Sequence, residues 1–196
     1  YESTSHVLTI DVTPPISAPD NNVEWDGLAH DSRSDVYRTP GGAVAEGTDV
    51  TLRFRTFAND VTGVTARVYS LNDGGQQLLP MERVASGVSC YQEGLADRTC
   101  DFWETTVDGS TPDNLWYRFL VTDGSDTDHY VDDTAALDGG LGTPSDDLVD
   151  RSWALMIHEA GFQAPDWASD ASIYQIFPDR FRDGRANNNP ETGDVR

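Results

Sequence analysis

The sequence contains no lysine: all 13 of its basic residues are arginine, against 34 acidic ones that are mostly aspartate. The net charge of -21 at pH 7 excludes two classes of partner. Such a surface repels the phosphates of nucleic acid and the headgroups of anionic membranes. It suits a neutral ligand such as a sugar, or concentrated salt, where self-repulsion is screened within a few ångström. An Asp-rich, Lys-free composition fits salt adaptation, and a GC-rich genome favours the same residues. Long apolar runs are also lacking, and none approaches the roughly 18 residues of a membrane span. No signal peptide is visible, and the opening on Tyr1 points to a processed or trimmed N-terminus. Cysteine is scarce: Cys90 and Cys100 have no Cys or His partner nearby in sequence and make a poor zinc set. A disulfide between them would close a short loop, stabilise by roughly 2–3 kcal/mol and imply an oxidising, extracytoplasmic compartment. Two buried free thiols are the other arrangement. The four histidines, His6, His30, His129 and His158, have no convergent spacing.

What is present is a strand grammar. Hydrophobic residues make up 37% of the chain, enough for a packed core. Residues 1–22 open with an alternating stretch, His6–Val12, and continue into Pro- and Asn-rich linker chemistry. The segment from Val23 to about Thr48 has little periodicity; Asp31 and Ser32, beside Arg33, are suited to bonding local backbone. From Asp49 apolar and polar residues alternate with period two. Strands are expected at Val50–Phe57, at Val64–Tyr69 and, more weakly, at Gln77–Val84. Further strands are expected at Asp101–Val107, Leu115–Thr122, around Tyr130 and at Trp153–His158. Loops are expected at Cys90–Cys100 and at Gly139–Pro144. Short strands, turn signals every 8–12 residues and no amphipathic helix describe an antiparallel β-sandwich over 23–160. Residues 161–169 read as a linker.

Residues 170–196 contain the run IYQIFPDRFRDGRANNNP. Its apolar, β-branched and aromatic start reads as a buried strand, ended by Pro178, which offers no backbone donor. This run resembles the opening of the catalytic (β/α)₈ barrel in the α-amylase family of glycoside hydrolases, its first strand and following loop. The stretches WDGLAHDSRSDVYRTPGG, LWYRFLVTDG and YVDDTAALDGGLG resemble the immunoglobulin-like N-terminal module of neopullulanase, cyclomaltodextrinase and amylopullulanase-type enzymes. The two resemblances fall in the right order at the right spacing. They imply an all-β chain: an immunoglobulin-like antiparallel sandwich followed by the first strand and loop of a barrel.

The resemblance also implies a function, the retaining hydrolysis of α-glucans by two carboxyl groups roughly 5–5.5 Å apart. The family sets those groups at the ends of later barrel strands, so no residue here inherits a catalytic role and the chain is expected to be inert alone. Family members place calcium in the loop after the first strand. Carried over, Asp183, Arg185 through its carbonyl, Asn188 and Asn189 would supply oxygen ligands. Expected partners are an α-glucan, the remainder of the barrel, which residues 170–181 would pair with, and a second copy of the chain. Expected localisation is extracellular. For sugar binding, aromatic faces beside polar groups are needed. Trp25, Tyr37, Tyr91, Trp103 and Trp116 are the candidates, although core packing is the commoner role of such residues. Trp116 leads, because Tyr117 and Phe119 claim the opposite strand face; Trp25 follows, in an irregular loop. A stand-alone starch-binding module and an immunoglobulin-like structural module without a sugar role are the rival readings.

Overall fold

Alternation along one strand means little until a second sheet covers the apolar side. A computed structural model describes residues 19–92, 94–168 and 170–175. It divides the chain into two units, Tyr1–Phe162 and Gln163–Arg196. The described residues of the first unit form eleven strands: β1 (Arg38–Thr39), β2 (Val44–Ala45), β3 (Val50–Phe57), β4 (Gly63–Ser70), β5 (Gln76–Pro80), β6 (Glu82–Ser89), β7 (Thr99–Val107), β8 (Asp113–Asp123), β9 (Asp126–Asp132), β10 (Gly142–Ser145) and β11 (Trp153–His158). The smaller sheet runs β1-β3-β7-β6, all antiparallel. The larger one is built on the long β8. Its one edge takes β4, which in turn pairs β5. Its other edge is shared, with β11 on residues 113–117 and β9 on residues 119–123. β9 continues to β10, and β11 to β2, the one parallel pairing of the described strands.

The core lies between the sheets. Val50, Leu52 and Phe54 of β3 and Trp103 and Val107 of β7 face Val64, Ala66, Val68, Tyr117, Phe119, Val121, Trp153 and Leu155. These are the side chains that period-two alternation assigns inward. Among them sits His30, fully buried. Its Nδ1 lies 2.8 Å from the Arg53 carbonyl and its Nε2 2.9 Å from the Tyr117 hydroxyl. A carbonyl can only accept, so Nδ1 carries the proton, and the Tyr117 O–H donates to Nε2.

The structure corrects several expectations. The weak strand at Gln77–Val84 is two strands in different sheets: β5 ends at Pro80, buried Met81 crosses over, and β6 begins at Glu82. Pro80 ends the first ladder because it has no N–H to give. The loop expected at Gly139–Pro144 runs into β10 from Gly142, an edge strand that therefore tolerates Pro144. Arg55, which alternation places with Arg53 on the face of β3 away from the apolar row, is nevertheless buried and donates to the carbonyls of Gly27 and Cys90. The aperiodic segment after Val23 supplies β1, β2 and a 3₁₀ turn at Trp25–Gly27. The second unit shows a 3₁₀ turn at Asp166–Ala168. Ala171–Gln175, expected to begin a barrel strand, have no strand assignment, with Ile173 and Tyr174 exposed. A barrel strand acquires its ladder only from strands beside it, and none of the described residues pairs this segment. The rest of that segment, and the strand at His6–Val12, lie outside the described residues.

Candidate carbohydrate-binding site

Because β8 buries Leu115, Tyr117, Phe119 and Val121, it turns Trp116 to the outer face of the larger sheet. Register then sets its neighbours: Trp116 stands opposite Tyr69 of β4 on one side and Ala154 of β11 on the other. Cross-strand partners stand roughly 4.5–5.5 Å apart at their Cβ atoms, so an indole and a phenol lie side by side. They line a cleft of about 380 Å³ with Arg67, Leu71, Leu137, Asp150 and Ser152. The Arg67 guanidinium carbon sits 4.9 Å from the Tyr69 ring centre, and its Nε donates to Gln76 Oε1 at 3.1 Å. The Asp150 carboxylate is fully exposed, 3.9 Å from Arg118 Nη1. Burial and the like charge of Arg67 lower the Arg118 pKa, while Asp150 opposes them.

Such a surface offers contacts for binding. The partly exposed rings present flat apolar faces, and Arg67 and Asp150 add a donor and an acceptor, the mixture of groups that a site for a polyhydroxyl ligand requires. Arg67, Tyr69, Asp150 and Ser152 are not found by reading one strand at a time. The β4–β8 register brings Arg67 and Tyr69 beside Trp116, and the β8–β11 pairing brings the segment before Trp153; sequence alone carries neither.

The structure places the other aromatic candidates elsewhere. Trp25 is 41% exposed, but its indole N–H donates to Asp128 Oδ2 at 2.6 Å, and it does not line the Trp116 cleft. Burial pushes the Asp128 carboxyl pKa up. Trp103 is a core residue whose Nε1 donates to Thr56 Oγ1 at 3.1 Å. Tyr37 is half-buried, and burial raises its pKa. Tyr91 alone of the set is widely exposed, at 76%. Cys90 and Cys100 are bonded to each other. Asp183, Arg185, Asn188 and Asn189 lie outside the described residues. Among those described, Asp132, Asp133 and Asp138 bring carboxylate oxygens within 4.8 Å of one another. Those oxygens serve the loop: Asp132 accepts from the Thr134 and Gly139 amides, and Asp138 from the Thr134 hydroxyl.

That loop docks on the WDGLAHDSR stretch. The Ser32 amide donates to the Gly140 carbonyl, and the Gly140 amide returns a bond to Ser32 Oγ at 2.9 Å. Arg33 pairs with Asp138, and Asp31 Oδ1 accepts the Arg33 amide at 2.9 Å. Two of the stretches singled out from sequence therefore fasten each other.

No family model matches the chain. Curated relatives do. An amylopullulanase of Thermoanaerobacter thermohydrosulfuricus is 32% identical over 189 residues, 96% of this chain and 12% of the relative. A cyclomaltodextrinase of a Bacillus species is 32% identical over 149 residues, 74% of this chain and 24% of the relative. Neopullulanase 2 of Thermoactinomyces vulgaris is 30% identical over 119 residues, 58% of this chain and 19% of the relative. The chain thus spans about an eighth of the length of the amylopullulanase it matches.

Proposed function

We propose, from the premise that homologues named amylopullulanase, cyclomaltodextrinase and neopullulanase cover most of the chain, that it serves as the N-terminal region of a secreted, α-glucan-acting glycoside hydrolase of the α-amylase family. Within that enzyme the sandwich holds an α-glucan chain at the Trp116 cleft, while hydrolysis belongs to carboxylates outside this chain. One observation supports the binding role: Trp116 and Tyr69 stand as adjacent, partly exposed rings with Arg67 and Asp150 at the same cleft. The disulfide supports secretion, since such bonds persist in oxidising compartments. Affinity electrophoresis in gels containing soluble starch tests the role. Wild-type protein should be retarded, and Trp116→Ala should lose most of that retardation while keeping its far-ultraviolet dichroism. Equal mobility of the two in starch would refute it.

Calcium belongs to the same proposal, held by Asp183, Asn188 and Asn189 with the Arg185 carbonyl, all hard oxygen donors of the kind the ion takes. Titration of chelator-treated protein with calcium should give a saturable calorimetric signal. That signal should be lost in Asp183→Ala, and heat unaffected by the substitution would remove the ion from the proposal.

A further inference from the structure

We propose that the outer face of the four-stranded sheet carries a second α-glucan site, built around Tyr91 and set in place by the Cys90–Cys100 disulfide. The inference rests on the α-glucan reading above. Its groove, about 300 Å³, lies between β6, β7 and β3 and is lined by Arg53, Val84, Val88, Tyr91, Phe102 and Glu104 among others. Val84 and Val88 contribute apolar lining from the part of β6 whose register against β7 shifts twice. The Tyr91 ring stands 6.0 Å from Phe102, centre to centre. At the rim Arg53 Nε donates to Glu104 Oε1 at 2.6 Å, and both side chains remain partly exposed.

Three attachments hold Tyr91. Its neighbour Cys90 is bonded to Cys100 in β7. The Cys90 carbonyl accepts from the buried Arg55 at 2.9 Å. The Tyr91 amide donates to Ser89 Oγ at 3.2 Å. The backbone there has φ +51°, a left-handed conformation that costs a bulky residue free energy. Core packing does not explain this, because the ring points into solvent. A ring fixed in an unfavourable backbone state beside an apolar groove is a platform for something that lands on it.

The groove's chemistry selects the ligand. Arg53 is already neutralised by Glu104, and the chain's net charge is -21, so an anion is disfavoured. A wholly apolar partner would strip water from the partly exposed Arg53–Glu104 pair without replacing its hydrogen bonds, which disfavours it. A neutral ligand with an apolar face and many hydroxyls meets both demands, and a glucose unit is such a ligand. The site lies on the opposite outer face from the Trp116 cleft, so one sandwich can engage two glucan strands or two distant turns of one.

Amide chemical shifts of the isotopically labelled 196-residue chain, titrated with maltoheptaose, test this. Two separate sets should move, one around residues 67–71 and 116, the other around 84–91 and 102–104. Tyr91→Gly removes the ring and relieves the positive φ; it should erase the second set and leave the first. Dithiothreitol, which reduces the bond to two thiols and is itself oxidised to a cyclic disulfide, should weaken the second set alone. The surviving first set reports an intact fold. Shifts confined to the Trp116 face would overturn this site and leave the first reading standing. A second set unchanged in Tyr91→Gly, or evoked only by an apolar dipeptide and not by maltoheptaose, would also overturn it. No shift at either face would overturn both readings.

Discussion

A residue whose spacing said little bridges the core. His30 looks ordinary in sequence, yet its ring ties a β3 carbonyl to a β8 hydroxyl across the sandwich. Burial lowers its pKa from 6.5 to about 3, so it stays neutral in the folded chain. As pH falls below 6.5 the unfolded chain takes up a proton that the folded chain refuses. Stability is therefore lost, by up to about 1.4 kcal/mol per pH unit. Asp60 works against this. Burial, with the charges of Glu24, Asp123 and Asp20, raises its pKa from 3.8 to about 6, although the Glu24 amide bond opposes the shift. The folded chain thus protonates Asp60 first as pH falls from about 6 to 3.8, which adds stability. The two slopes oppose each other over much of the same range. Asp60→Asn removes one of them and keeps an oxygen to accept the Glu24 amide. Its urea midpoint should fall more steeply than wild type between pH 6.5 and 4.5; parallel curves would contradict the assignment.

At the scale of elements, the strands that could be read were those whose two faces differ. β3, β4 and β8 each carry an apolar row that the opposite sheet covers, and alternation located all three. Reading failed where the pairing partner decides the outcome. Nothing local tells that Met81 is a crossing point between sheets, or that Gly142–Ser145 finds an edge on β9. The burial of Arg55 is not legible locally for a related reason: its cover comes from Gly27 and Cys90, far away in sequence. The same limit applied to the site. Trp116 was legible from the strand's two faces, whereas Tyr69 and Arg67 become its neighbours only through register. The Cys90–Cys100 loop gives a prediction at this scale. Cys90→Ala with Cys100→Ala should lower unfolding free energy by roughly 2–3 kcal/mol, read from urea curves against wild type under non-reducing conditions. A change below about 0.5 kcal/mol would mean that the loop's own packing suffices.

For the molecule as a whole, charge sets the terms. Thirty-four acidic groups against thirteen arginines leave many carboxylates without a cation, and Glu24, Asp20 and Asp123 all raise the Asp60 pKa through their charges. Added salt screens that repulsion, with a screening length falling from about 10 Å at 0.1 M to about 3 Å at 1 M. The thermal midpoint should rise as sodium chloride goes from 0.1 to 1 M; a flat or falling midpoint would show that attractive ion pairs such as Arg83–Asp101 outweigh the repulsion. The order in which the sheet can be completed follows from β8. Its N-terminal half waits on β11 for its second edge, and β2, near the start of the sandwich, pairs with β11 as well. Ladders between segments so far apart form slowly, because loop closure precedes any gain. A ribosome delivers the chain from its N-terminus at about 5–20 residues per second. The nascent sandwich therefore keeps an open seam beside β8 until Trp153–His158 leaves the exit tunnel, and during that interval the unpaired edge is available to other chains.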